Sequence, residues 1–180
     1  IHPYMLRKTK EEVLPELPEM IRTDLPIILS EEENKLYDLI RKEMLFDLKE
    51  KDISKIENPV TLQQTVVSLL RLQQLTGSMQ LLGDNTKSSK IEALKELLPE
   101  WTESSKVLIY TRFSKLADIL ERELVEYNPL KITGEVTGRE AIIEKFNYSD
   151  ENKVLVITDA SAWGVNLQNK CSIVVMMDIP

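Results

Sequence analysis

Three apolar runs of strand length constrain this chain more than anything else in it: "KVLIYT" (106–111), "KVLVIT" (153–158) and "SIVVMMD" (172–178). None alternates apolar with polar residues, so each reads as a strand covered on both faces. A shorter run, "LKIT" (130–133), has the same character. Between the runs lie segments of helical period. In "KLADILERELVEY" the residues Leu116, Ile119, Leu120 and Leu124 fall on one stripe, and "REAIIEKFN" follows the short run. Two-sided strands alternating with amphipathic helices predict an α/β fold, a parallel sheet with flanking helices.

The helix starts carry capping signals. Ser89 with Glu92 reads as a capping box before "KIEALKELL", and Pro99 marks where that helix stops. Ser114 is the expected cap of the next helix, and Thr137 with Glu140 boxes the one after it.

The first 83 residues have a different texture. In "LPELPEMIRTDLPIIL" (14–29) three prolines predict an extended segment with a short edge strand over Ile27 to Leu29. Ser30 and Glu33 form a capping box for a helix whose Leu36, Leu39, Ile40 and Met44 share a face. A second helix is expected from about Leu62 to Thr76, with Gly77 placed to end it. The two read as an antiparallel hairpin.

Composition excludes several chemistries. His2 is the only histidine and Cys171 the only cysteine, so neither a zinc hydrolase site nor a Ser-His or Cys-His pair can be assembled, and no disulfide forms within the chain. Cys171 reads as a small buried apolar residue. The net charge of −7 argues against a strongly basic nucleic-acid module, although a local basic cleft fits within an acidic total. The apolar runs are too short to span a bilayer, and no membrane partner is expected. The first residue is Ile, which reads as an excised piece of a longer chain.

In a parallel sheet, ligands bind beyond the carboxyl ends of the strands. That rule selects Thr111-Arg112, Thr133-Gly134 and the stretch from Thr158 to Gly164. A threonine there either bonds a phosphate or caps the next turn. No G-x-x-x-x-G-K-[ST] loop is present, and Asp159 and Asp178 each end a strand singly rather than as a magnesium-binding pair.

Several segments, in order, resemble the SWI/SNF-type ATPases, the remodelling branch of helicase superfamily two. "HPYMLRKTKEEVLPELPEMIR" is similar to the segment after their first motor lobe, and "SSKIEALKELLPEW" to the helix leading into their second. "KVLIYTRF" resembles motif IV, "TGREAIIEKFN" the block with Gly, Arg and Ile-x-x-Phe-Asn, "ITDASAWGVNLQ" motif V, and "VVMMDIP" the strand before a Trp-Asn-Pro turn. The set covers His2 to Pro180. Ser161, Ala162 and Trp163 depart from the family's Ala-Gly-Gly-Leu-Gly pattern; Trp163 reads as a half-buried core residue or as a stacking platform.

The resemblance implies a RecA-like second helicase lobe, incomplete before motif VI, over 88–180. A helical protrusion is implied over 30–87 and an extended inter-lobe linker over 1–29. It implies a part of an ATP-dependent double-stranded DNA translocase, with DNA and the first RecA-like lobe of the same protein as partners. ATP and Mg2+ would be bound mainly by that first lobe in the full-length protein, and this chain alone would need neither and be inactive. Thr111, Arg112, Gly134 and Thr158 are the implied DNA-backbone contacts, and Gly164 and Asn166 would face the nucleotide cleft. Asp159 is expected to orient Arg112 or a turn. Arg139 is read either as support for the site or as a helix-surface salt bridge. Lys8 and Lys10 read as solvated linker charges. The short loop from Gly134 to Arg139 and the absence of long insertions in the protrusion point to a bacterial or phage cytoplasm. The competing reading is a non-catalytic protein-binding module on a degenerate helicase lobe.

Overall fold

The computed structural model describes residues 8, 10–14, 16, 19–50, 59–159, 166, 167 and 170–178. One helical turn, α1 (Lys10–Val13), lies within the first stretch, which was expected to be extended throughout. Ile27 to Leu29 do not form the expected edge strand. Pro26 removes one donor, and no neighbouring strand among the described residues supplies a ladder.

The hairpin consists of α2 (Glu31–Glu50) and α3 (Pro59–Gly77). The capping box of α2 forms as its spacing requires: Ser30 N–H donates to Glu33 Oε2 at 2.8 Å, and Glu33 N–H donates to Ser30 Oγ at 3.2 Å. Helix α3 begins at Pro59, earlier than its apolar period suggests, because proline is well suited to a first helical turn. It ends at Gly77 as expected. A 3-10 turn over Met79–Leu82 and a left-handed Gly83 then lead to α4 (Ser89–Ser104).

Two expectations for α4 change. Its cap is Ser88, whose Oγ accepts the Ile91 N–H, while Ser89 turns to another partner described below. The helix also runs through Pro99 rather than stopping there. An interior proline costs roughly 3 kcal/mol. Burial of Ile91, Leu94, Leu98 and Thr102 along one face outweighs that, and the Thr102 hydroxyl donates to Leu98 O at 2.8 Å.

The sheet comprises β1 (Lys106–Thr111), β2 (Leu130–Ile132), β3 (Val154–Thr158) and β4 (Cys171–Met176). All pairings are parallel, in the order β2-β3-β1-β4. Between the strands lie α5 (Ser114–Glu123) and α6 (Arg139–Tyr148). Neither has the expected side-chain cap. Phe113 occupies that position for α5, and for α6 it is Gly138, at φ 76°, where glycine is the residue that reaches the left-handed region without strain.

Alternation along the strands divides the core in two. Val107, Ile109, Val154 and Val156 pack with Ile91, Leu94 and Leu98 of α4 and Leu116 and Leu120 of α5. Tyr110, Leu155 and Ile157 point the other way, onto Phe146 of α6 and Ile132. The interior strands are therefore covered on both faces, as their composition predicts. β4 differs: Ser172, Val174 and Met176 are exposed, so this edge strand is half covered among the described residues. At the amino ends of the strands the buried Lys106 ammonium donates to Phe146 O and Ser149 O and lies 4.9 Å from the Phe146 ring centre. It thereby caps the carbonyl end of α6, and burial pulls its pKa down.

Candidate nucleic-acid interface

Parallel register brings the carboxyl ends of three strands to one edge. Thr111 pairs with Thr158, and Ile132 with Ile157, so the loops after β1, β2 and β3 leave side by side. Arg112, Gly134 and Asp159 follow directly. Four of the selected positions, Thr111, Arg112, Gly134 and Thr158, thus share one edge.

Their side chains have different tasks. Thr111 has no exposed surface; its hydroxyl donates to Asp178 Oδ2 at 2.5 Å and accepts the Phe113 N–H at 3.2 Å. Thr158 is buried at 3% exposure. Of the two readings of these threonines, Thr111 takes the turn-capping one in this structure, and both side chains pack into the sheet. Arg112, by contrast, stays near the surface. Its Nε lies 3.9 Å from Asp159 Oδ2, a loose ion pair between two exposed side chains. The Tyr110 hydroxyl donates to the other oxygen, Asp159 Oδ1. That bond, with burial and the negative charge of Asp159, pushes the Tyr110 pKa up to about 12. Beside Arg112 a groove of about 270 Å³ runs between α3 and α5, lined by Gln74, Leu81, Arg112, Phe113, Ser114 and Lys115.

Gly134 sits exposed in a turn closed by Val136 N–H donating to Thr133 O at 3.1 Å. Arg139 opens α6 and is exposed, and it makes no ion pair among the described residues, so its salt-bridge reading is not realised there. Gly164 and Trp163 lie outside the described residues. Asn166 is exposed, and its carbonyl accepts Asn147 Nδ2 at 3.1 Å. Asn147 is in the last turn of α6, by the amino ends of the strands, so Asn166 is not gathered with the other selected residues.

Sequence reasoning passed over three residues that organise this edge. Asp178, read as a single strand-end carboxylate, receives Thr111 and also the Arg112 N–H at 3.1 Å. Lys90 donates to Met177 O at 2.7 Å; burial lowers its pKa and the charge of Asp178 partly restores it. Tyr110 was read only as part of an apolar run. Each was visible as a polar group at the end of a strand or the start of a helix, but its partner lies between 49 and 87 residues away.

A parallel sheet with a polar strand-end edge and helices on both faces defines an α/β domain of the open, wound kind, the class to which RecA-like lobes belong. Residues 89–180 match the helicase conserved C-terminal domain, and the chain belongs to that family. It is 31% identical over 183 residues to an uncharacterised ATP-dependent helicase of Mycoplasma genitalium, covering 98% of this chain and 17% of that protein. It is 26% identical over 196 residues to the DNA repair and recombination protein RAD26 of Saccharomyces cerevisiae, covering 97% and 17%. The chain thus spans about a sixth of the length of these curated relatives. Among solved structures, the SWI2/SNF2 ATPase core domain of Sulfolobus solfataricus superposes with a TM-score of 0.71 at 25% identity, covering 98% of this chain and 38% of that one. The same organism's core in complex with double-stranded DNA gives a TM-score of 0.72 at 23% identity, covering 99% and 39%.

Proposed function

We propose that this chain is the second motor lobe of an ATP-dependent double-stranded DNA translocase, and that its carboxyl sheet edge holds one DNA strand by its phosphates. The observation that carries this reading is the placement of Arg112: half-exposed on the strand-end edge, within 3.9 Å of Asp159 at Nε and fixed through its backbone by Asp178. An arginine fork suits a phosphate in any sequence context. The exposed Gly134 turn lies on the same edge and supplies backbone without a side chain in the way. The Sulfolobus core that shares this fold was solved with duplex DNA, which supports the assignment of ligand. ATP and Mg2+ would be bound mainly by a first lobe, since this sequence holds no G-x-x-x-x-G-K-[ST] phosphate loop.

The test is a salt titration of duplex binding by fluorescence anisotropy, on the full-length protein and its Arg112→Ala variant. The variant is expected to bind all sequences more weakly and to lose about one unit from the slope of log affinity against log salt. DNA-stimulated ATP turnover should fall while basal turnover stays near wild type. Equal affinities and equal stimulation would place the DNA surface elsewhere.

The exposed apolar residues on α3, Val66 at 62% and Leu69 at 48% among them, favour a second reading, a protein-binding module without motor activity. That reading predicts no DNA-stimulated turnover in the full-length protein.

A further inference from the structure

Asp178 follows β4 and is 8% exposed. Its Oδ2 accepts both the Thr111 hydroxyl, at 2.5 Å, and the Arg112 N–H, at 3.1 Å, while Thr111 Oγ1 accepts the Phe113 N–H at 3.2 Å. Thr111, the last residue of β1, and Arg112 therefore bond one carboxylate directly, and Phe113 is tied to it through the Thr111 hydroxyl. Met177 N–H donates to Tyr110 O at 2.9 Å, which keeps the two strand ends together. Lys90, at the start of α4, reaches the same place through Met177 O. From the hairpin side, a Cβ built on Gly77 would stand 3.6 Å from Asp178 Oδ1 and 3.1 Å from Leu116 Cδ2. The ends of α3 and β4 and the starts of α4 and α5 thus converge on this group.

We propose that Asp178 is the positioning residue of the nucleic-acid edge: by accepting the Thr111 hydroxyl and the Arg112 N–H together, it fixes the loop from which the Arg112 guanidinium projects. The proposal rests on the reading of Arg112 as a phosphate contact and adds the residue on which that contact depends. Asp178 does not touch the DNA. It is enclosed, and its two donors come from within the protein. A flexible arginine binds a phosphate well only when its backbone is already in place, because ordering loop and side chain together at the moment of binding costs affinity. One carboxylate oxygen taking two donors is a compact way to hold a loop, and hydrogen bonds to a charged acceptor are the stronger kind.

The experiment is a double-mutant cycle on duplex affinity in the full-length protein, read by fluorescence anisotropy. Asp178→Ala and Arg112→Ala are each expected to weaken binding about tenfold, and the double variant to bind no more weakly than Arg112→Ala alone. Asp178→Asn keeps an oxygen that accepts both bonds and is expected to stay within about twofold of wild type. Losses that multiply in the double variant, wild-type affinity in Asp178→Ala, or an Asn variant as weak as the Ala variant would each overturn the proposal. If circular dichroism shows that Asp178→Ala does not fold, Thr111→Val carries the test. It deletes one donor at nearly constant volume and should weaken binding about threefold with secondary structure intact; unchanged affinity would overturn the proposal. Should Arg112→Ala bind like wild type, the nucleic-acid reading itself fails. Should Arg112→Ala weaken binding while Asp178→Ala does not, only the positioning role fails.

Discussion

Tyr110 shows how much a single residue's environment adds to its identity. Its ring belongs to the core beneath α6, while its hydroxyl emerges at the edge and donates to Asp159. The phenol's pKa is raised in the folded state, to about 12 from an ordinary value of 10.0. A raised folded pKa means that the stabilisation is complete below the unfolded value and is lost as pH rises through the folded one. Stability should therefore decline between about pH 10 and pH 12 more steeply in the wild type than in Tyr110→Phe, as followed by chemical denaturation at stepped pH. At neutral pH the substitution should cost about 1 kcal/mol, a modest figure because Asp159 is largely open to solvent and screened. Identical alkaline profiles for the two proteins would show that the hydrogen bond contributes nothing.

At the scale of elements, the question is how the hairpin is held to the sheet layer. Glu33 answers it. It has no exposed surface, and its carboxylate serves two helix starts at once. Oε2 accepts the Ser30 N–H at 2.8 Å and the Ser89 hydroxyl, and Oε1 accepts the Ser89 N–H at 3.1 Å. A negative group at two helix N-termini is favoured by both dipoles. Burial pushes the Glu33 pKa up, but the bonds from Ser89 and Ser30 outweigh it and the net shift is downward. Its stabilisation is therefore complete above the unfolded value near 4.5 and is lost as pH falls through the folded one. Glu33→Ala should cost about 2 to 3 kcal/mol at neutral pH, since it strands buried donors on both helices. Denaturant melts should show that cost shrinking as pH drops below the ordinary carboxylate range. A cost independent of pH would rule out the ionised joint. A capping box is readable from its spacing, and this one forms. Its second partner, 56 residues on, is not readable, because only the packing of α2 against the start of α4 brings Ser89 there.

For the whole molecule, the proposed motor reading implies a division of labour between lobes. The edge around Arg112 offers few cations, the chain carries a net charge of −7, and its sequence contains no phosphate loop. Phosphoryl transfer depends almost entirely on positioning and electrostatic stabilisation by such parts. This chain by itself, supplied with ATP, Mg2+ and duplex DNA, should release phosphate no faster than buffer does. Its own DNA binding should be weak and lost at modest salt, since few counterions are displaced. DNA-stimulated phosphate release by the isolated chain would show that the chemistry is carried here after all.

What the sequence determined by itself is the kind of fold and which loops leave its carboxyl edge. Two-sided apolar runs in β1 and β3 and the amphipathic stripe of α5 can be satisfied only by burial between layers, and parallel strands place their following loops together. Capping was legible where both partners sit within one turn, as at Ser30 and Glu33. It misled at Ser89, Ser114 and Thr137, where a neighbouring residue takes the cap, and at Pro99, where burial of Leu98 and Thr102 carries the helix past its usual stop. Only the tertiary structure decided which polar groups at the edge are free to act. In a linear reading Thr111 and Thr158 either bond a phosphate or cap a turn; the sheet buries both, and Thr111 donates to Asp178 from 67 residues away. Local sequence sets which groups reach a strand end; which of them face solvent and which hold one another depends on contacts between residues far apart in the chain.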